Sequence, residues 1–190
     1  MSSSPTVEET PLPGVLVLVP RRHRDERGWF CESWSAAGTA AAGLEVDFVQ
    51  DNHAFSRDRN TLRGLHFQAP PHAQAKLVRC SRGAVLDVAV DIRKGSPTYG
   101  RWAAEELSEE NGRQLFVPEG FAHGYLTLID GAEVQYKCSA GYAPAHEGAV
   151  RWDSCGIDWP LEGRPVLSPK DADAPPLAAL DSPFVWDGAR

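Results

Sequence analysis

Ala84-Val85-Leu86-Asp87-Val88-Ala89-Val90-Asp91-Ile92 is the clearest strand in the chain. Leu86, Val88, Val90 and Ile92 face one way, and Val85, Asp87, Ala89 and Asp91 the other, which is the two-residue period of β structure. Gly83 precedes the run, and Gly95, Pro97 and Gly100 follow it as turn punctuation. Upstream, the apolar run Val15-Leu16-Val17-Leu18-Val19 ends at Pro20 and reads as a second strand. Residues 101–107 carry helix-favouring Ala103, Ala104, Glu105 and Glu106. Asn111-Gly112, however, is a hairpin signal joining them to Gln114-Leu115-Phe116-Val117, so they read as strand. Residues 133–137 and 149–152 are further short strands. Helix is expected only at residues 33–44, limited by Gly38 and Gly43, and from Ser168-Pro169-Lys170-Asp171. Short segments divided by 17 glycines and 15 prolines predict a mainly β sandwich or barrel.

A chain of 190 residues, 42% of them hydrophobic, supplies one core. The expected organisation is a flexible arm at 1–13, a single domain at 14–182 and a tail at 183–190. The net charge of −7 argues against a nucleic-acid partner, although a few arginines suffice to bind phosphate locally. Cys31, Cys80, Cys138 and Cys155 are far apart and form no CxxC pair, so they read as reduced thiols of a cytoplasmic protein. No apolar segment approaches the roughly 18 residues of a membrane span. Met1-Ser2-Ser3-Ser4-Pro5 lacks the basic and apolar regions of a signal peptide, so no membrane partner is expected.

The chemistry concentrates in Leu62-Arg63-Gly64-Leu65-His66-Phe67-Gln68, followed by Lys76-Leu77-Val78-Arg79-Cys80. Strands that carry imidazole, guanidinium and ammonium groups where apolar residues belong are lining a pocket. Alternation puts Arg63 and His66 on opposite faces unless a bend at Gly64 re-aims one of them. An imidazole with an ordinary pKa of about 6.5 suits a general base near neutrality. Such a base needs a carboxylate on its other nitrogen, and Asp171 and Asp87 are the candidates. Asp171 also has a second explanation as an acid in a capped helix start.

Pro118-Glu119-Gly120-Phe121-Ala122-His123-Gly124 matches the PxGxxH half of the metal-binding cupin pattern. The HxH half reads His66-Phe67-Gln68, with a lysine where an acidic ligand belongs, so a cupin scaffold without metal or other cofactor is expected. Asp25-Glu26-Arg27-Gly28-Trp29-Phe30-Cys31-Glu32 reads alone as a half-exposed strand, and Gln50-Asp51-Asn52-His53 as a turn.

Taken in order, Arg27-Gly28, Val49 with Gln50-Asp51-Asn52-His53, the Leu62 and Lys76 runs, Asp87 to Arg93, the Pro118 motif, Tyr136-Lys137 and Ser168-Pro169-Lys170-Asp171 resemble the dTDP-4-dehydrorhamnose 3,5-epimerases from about residue 13 to 180. The resemblance implies a jelly-roll cupin fold, a homodimer and metal-free inversion of C3 and C5 in dTDP-4-dehydro-6-deoxy-D-glucose. It implies His66 as base with Asp171 as its dyad partner, Tyr136 as proton donor and Lys76 at the enolate oxygen. Arg27, Glu32, Gln50, Asp51, Asn52, Arg63, His123, Glu147 and Lys170 are implied to contact the nucleotide-sugar, and Tyr142 to stack on thymine. Gly141 stands where relatives often carry a second aromatic. The alternatives are a single-carbon epimerase of a related dTDP-4-keto sugar, a non-catalytic sugar-nucleotide binding cupin and a metal-dependent cupin enzyme.

Overall fold

A computed structural model of the chain describes residues 4–188. Its elements are β1 (Thr6–Glu9), β2 (Leu16–Val19), β3 (Arg22–Asp25), β4 (Gly28–Cys31), α1 (Ala36–Ala41), β5 (Gln50–Ser56), β6 (Leu62–Gln68), β7 (Lys76–Arg82) and β8 (Ala84–Asp91). They continue with β9 (Trp102–Ser108), β10 (Gln114–Val117), β11 (Phe121–Thr127), β12 (Ala132–Cys138), β13 (Glu147–Ala149) and α2 (Pro169–Ala172). One sheet runs β1-β2-β10-β7-β12-β5, and the other β13-β6-β11-β8-β9. All pairings within the two sheets are antiparallel. This is the mainly β sandwich that the alternating runs predict.

Inward residues of both sheets build the central core. Val17, Val78, Cys80, Leu115 and Val134 come from one sheet, and Val85, Ala89, Leu107, Phe121 and Tyr125 from the other. The outer face of the five-stranded sheet is covered as well. Leu65, Phe67, Val88, Val90 and Ile92 pack there against Val150, Trp159 and Phe184 of the C-terminal segment. On the far side, Leu18, Leu77 and Phe116 pack against Leu44, Trp34 and Phe48. Ser35 caps α1 by accepting from Gly38 N at 3.2 Å, and the helix stops before Gly43, whose φ is +85°.

Several expectations change. β9 and β10 do not form a hairpin, because β9 pairs with β8 while β10 pairs with β2 and β7 in the other sheet. The Asn111-Gly112 turn carries the chain between sheets. Asn111 Oδ1 accepts from the Ser108 and Arg113 amides at 3.1 and 2.9 Å, so a side chain replaces the ladder. Inside the arm expected at 1–13, Thr6–Glu9 pairs with β2. Inside the tail expected at 183–190, Phe184 is buried and Val185 bridges Lys94. The strand expected at 149–152 lies earlier, at Glu147–Ala149. Residues 25–32 span the turn and second arm of a hairpin rather than a continuous strand, with Gly28 at φ +131° where the chain turns from β3 into β4. Gln50-Asp51-Asn52-His53 is not a turn but the start of β5.

Candidate active site

Arg63 and His66 share a cavity because β6 is bulged. His66 pairs with His123, but Arg63 pairs with Tyr125, a one-residue slip in register along β11. Gly64 sits at the slip with φ +112°. A Cβ there would lie 2.7 Å from both Gly124 Cα and His123 O, so only glycine fits. Below the slip, His66 and Gln68 point inward by ordinary alternation while Leu65 and Phe67 go to the outer core. Above it, Arg63 is re-aimed inward. Its Nε donates to Ser56 Oγ at 3.2 Å and Nη2 to Phe55 O at 3.0 Å.

The resulting cavity, about 230 Å³, is lined by Arg63, His66, Lys76, His123, Tyr136 and Asp171 among others. His66 Nε2 donates to Asp171 Oδ1 at 2.6 Å, leaving Nδ1 as the ring's other nitrogen. Asp171 is both a member of the capped first turn of α2 and the partner of His66: its amide donates to Ser168 Oγ at 3.2 Å, while Ser168 Oγ donates to Asp171 Oδ2 at 2.8 Å. Burial pushes this carboxyl up, but bonds from His66 and Ser168 outweigh it and hold Asp171 below the usual range. The sequence left Asp171 and Asp87 open as partners of His66. Asp171 takes that place, and Asp87 instead accepts from His123 Nε2 at 2.9 and 3.1 Å.

Lys76 and Tyr136 enter from the opposite sheet. Lys76 pairs with Cys138 and Tyr136 with Val78, so both side chains stand on the inner face as diagonal neighbours. Burial lowers the Lys76 pKa, opposed by the fields of Cys138, Asp87 and Glu147. Burial raises that of the Tyr136 phenol. An imidazole on one sheet thus faces an amine and a phenol on the other. Such an arrangement can take a proton from one face of a bound carbon acid, steady the anion, and return a proton to the other face.

An adjoining cavity of about 310 Å³ shares His66, Lys76 and Tyr136 and adds Gln50, Asn52, Tyr142 and Glu147. Tyr142 Oη donates to Glu147 Oε2 at 3.0 Å, its amide donates to Gln50 Oε1 at 2.9 Å, and Lys170 forms an ion pair with Glu147. Those contacts lower the Glu147 pKa against the effect of burial. Gln68 ties the rim down: Nε2 donates to His72 O and Gly141 O, and Oε1 accepts from Ala143 N. The glutamine in the place of a metal ligand is a loop clamp. Among the described residues, no three of His, Cys, Asp and Glu cluster as a metal site.

Three expected binding residues are not brought to this cleft. Asp51 alternates with Gln50 and Asn52, so it faces the outer side of β5 and pairs with Lys137 at 2.9 Å. Arg27 lies in the exposed β3–β4 turn, with Nη2 2.6 Å from Asp25 Oδ2. Glu32, just past β4, accepts from Ser35 Oγ at 2.7 Å. Conversely, Ser168 and Tyr125 line the first cavity and were not singled out as site residues. Ser168 was visible only as a cap.

The family model for dTDP-4-dehydrorhamnose 3,5-epimerase matches residues 9–179. The chain is 52% identical over 174 residues to dTDP-4-dehydrorhamnose 3,5-epimerase of Salmonella typhimurium, covering 90% of this chain and 94% of the relative. Among solved structures it is similar to a dTDP-6-deoxy-D-glucose-3,5-epimerase from Legionella pneumophila in complex with dTDP-4-keto-L-rhamnose. That match has a TM-score of 0.89 and 42% identity, covering 93% and 95% of the two chains. It is also similar to a 3'-monoepimerase from Streptomyces bikiniensis in complex with dTDP-quinovose, with a TM-score of 0.83 and 39% identity over 90% and 88% of the chains.

Proposed function

The chain belongs to the dTDP-4-dehydrorhamnose 3,5-epimerase family, and from that premise we propose which of its groups move the protons. It is an isomerase with dTDP-4-dehydrorhamnose 3,5-epimerase activity in dTDP-L-rhamnose biosynthesis. In the proposed reaction, Nδ1 of His66 removes the proton beside the C4 ketone, first at one carbon and then at the other. Asp171 keeps the ring in the required tautomer and stabilises the imidazolium that forms. Lys76, which lines the same cavity, supplies positive charge to the enolate oxygen, and Tyr136 returns a proton from the opposite sheet. The observation that carries this reading is the 2.6 Å His66–Asp171 bond at a cavity that Lys76 and Tyr136 also line.

The second cavity suits the nucleotide, with Gln50, Asn52, Tyr142 and Glu147 around it and Lys170 at its rim. Arg63 suits the diphosphate, since a guanidinium fork bonds two oxygens at once. None of these roles requires a metal or an organic cofactor. We infer a homodimer as well, on the ground that Trp29 and Phe30 are 52% and 71% exposed on the β3–β4 hairpin and that Arg27 and Glu32 lie beyond their own cleft. A second copy covering that hairpin would bury the aromatics and could take Arg27 into its own cleft. Sedimentation should give twice the chain mass, and a monomer would reject the dimer.

Turnover of dTDP-4-dehydro-6-deoxy-D-glucose in deuterated buffer, followed by NMR, tests the chemistry. Deuterium is expected at both C3 and C5. Exchange at C3 alone would make this chain a counterpart of the 39% identical monoepimerase instead.

A further inference from the structure

Asp87 is fully buried, and among the described residues its carboxylate accepts hydrogen bonds only from His123 Nε2, at 2.9 and 3.1 Å. His123 is itself 6% exposed, lines the 230 Å³ cavity, and stands directly across the ladder from His66. Paired positions on neighbouring strands hold their side chains side by side on one face. Two imidazoles therefore flank one another, each giving its Nε2 proton to a different aspartate. The base dyad is accounted for; the second pair is not.

Resting on the epimerase reading, we propose that Asp87 is a positioning residue that fixes the tautomer of His123, so that the ring's Nδ1 accepts a hydrogen bond from a hydroxyl of the substrate sugar. With Nε2–H committed to Asp87, Nδ1 keeps its lone pair. A bare ring nitrogen pairs with a group that carries hydrogen. Sugar hydroxyls do, and the ionised oxygens of a diphosphate do not. His123 then reads the sugar rather than the phosphates. It holds the ring beside His66, whereas Arg63, one register step away opposite Tyr125, is suited to the anion.

The test is Asp87→Asn. The amide offers N–H to Nε2, drives the ring proton to Nδ1, and turns the cavity-facing atom from acceptor into donor, as a wrong tautomer does in a catalytic triad. With dTDP alone as probe, the dissociation constant measured by calorimetry should stay within about twofold of the wild type, because dTDP lacks the hexose whose hydroxyl the ring would contact. For the sugar-nucleotide, kcat/KM should fall about 10- to 100-fold, the scale of one hydrogen bond at a buried site. A parallel loss of dTDP affinity, or an unchanged kcat/KM, would overturn the proposal. A measurement on the unmodified protein guards against a variant that fails to fold. Nitrogen-15 NMR of labelled histidines in mildly alkaline buffer should show His123 protonated at Nε2 and bare at Nδ1, and a protonated Nδ1 would sink the idea. Absence of turnover by the wild-type chain would instead remove the epimerase reading, leaving the tautomer result to stand alone.

Discussion

Strands β6 and β8 flank the same neighbour, β11, in the same sheet, and they do opposite work. β8 pairs with β11 without a slip from Phe121 to Thr127, and both of its faces are filled. β6 slips by one residue at Gly64, and the slip turns a guanidinium and an imidazole toward one cavity. Regular alternation builds a wall here; one irregular step builds a site. A strand with perfect alternation cannot present residues i and i+3 on one face, so a bulge is the minimal device that does.

The contrast is broken most severely at the dyad. His66→Ala and Asp171→Asn should each lower kcat/KM by about 10³-fold or more, the first by removing the base and the second by allowing the wrong tautomer. His66→Ala should keep a near-native melting curve, Asp171→Asn should melt somewhat lower because the carboxylate's bonds are lost, and a loss of activity below about tenfold in either would reject the assigned roles. Gly64→Ala attacks the slip itself. The new methyl meets backbone at 2.7 Å, so stability should fall by about 1–3 kcal/mol in urea titrations, with activity per folded molecule lost as well.

Val88→Ala makes the matching cut in β8. It should cost about 2 kcal/mol while leaving kcat and KM of the folded enzyme intact. If it impaired kcat as much as Gly64→Ala, the division of labour between the strands would be wrong. Ser168→Ala loses a cap worth about 1 kcal/mol and one bond to Asp171, so a few-fold drop in kcat is expected.

The mildest test is acid. Burial raises the carboxyls of Asp91 and Asp171, but hydrogen bonds overcome it: from Arg93, Ser96 and Thr98 at Asp91, and from His66 and Ser168 at Asp171. Folded values below the unfolded value of about 3.9 mean that their stabilisation is present above that pH. It is lost as pH falls through the lowered folded values. Melting temperature should therefore decline below about pH 4, and Asp91→Asn should flatten that decline.

β8 was legible in the sequence to within one residue, with Asp87 and Asp91 on one face and Leu86, Val88 and Val90 on the other, because a period of two needs no partner to be read; which face looks inward was not. The consequence of Gly64 was legible only as a condition: a bend had to exist for Arg63 and His66 to meet, but its presence depends on Gly124 across the ladder, which no local pattern reveals. Asp171 was ambiguous between cap and partner because one residue serves both purposes through different atoms. The choice between β9–β10 pairing and a crossover was hidden as well. A turn signal reports where the chain reverses, not which sheet it enters next. The displacement of Asp51, by contrast, follows from alternation once Gln50 to Ser56 is known to be strand.

Gln68 has a consequence for how a substrate is measured. It lies two residues beyond His66 on β6, about 7 Å at the usual strand rise. Its amide grips both the Pro71-side loop and the loop carrying Tyr142. The aromatic at the mouth and the imidazole in the depth are thus graduations on one short ruler. On the proposed roles, a single strand gauges the span from the nucleotide end of a ligand to its reacting carbons, so a substitution that loosens this clamp should show up as misplacement at the far end of the ligand rather than as weaker grip at the near one.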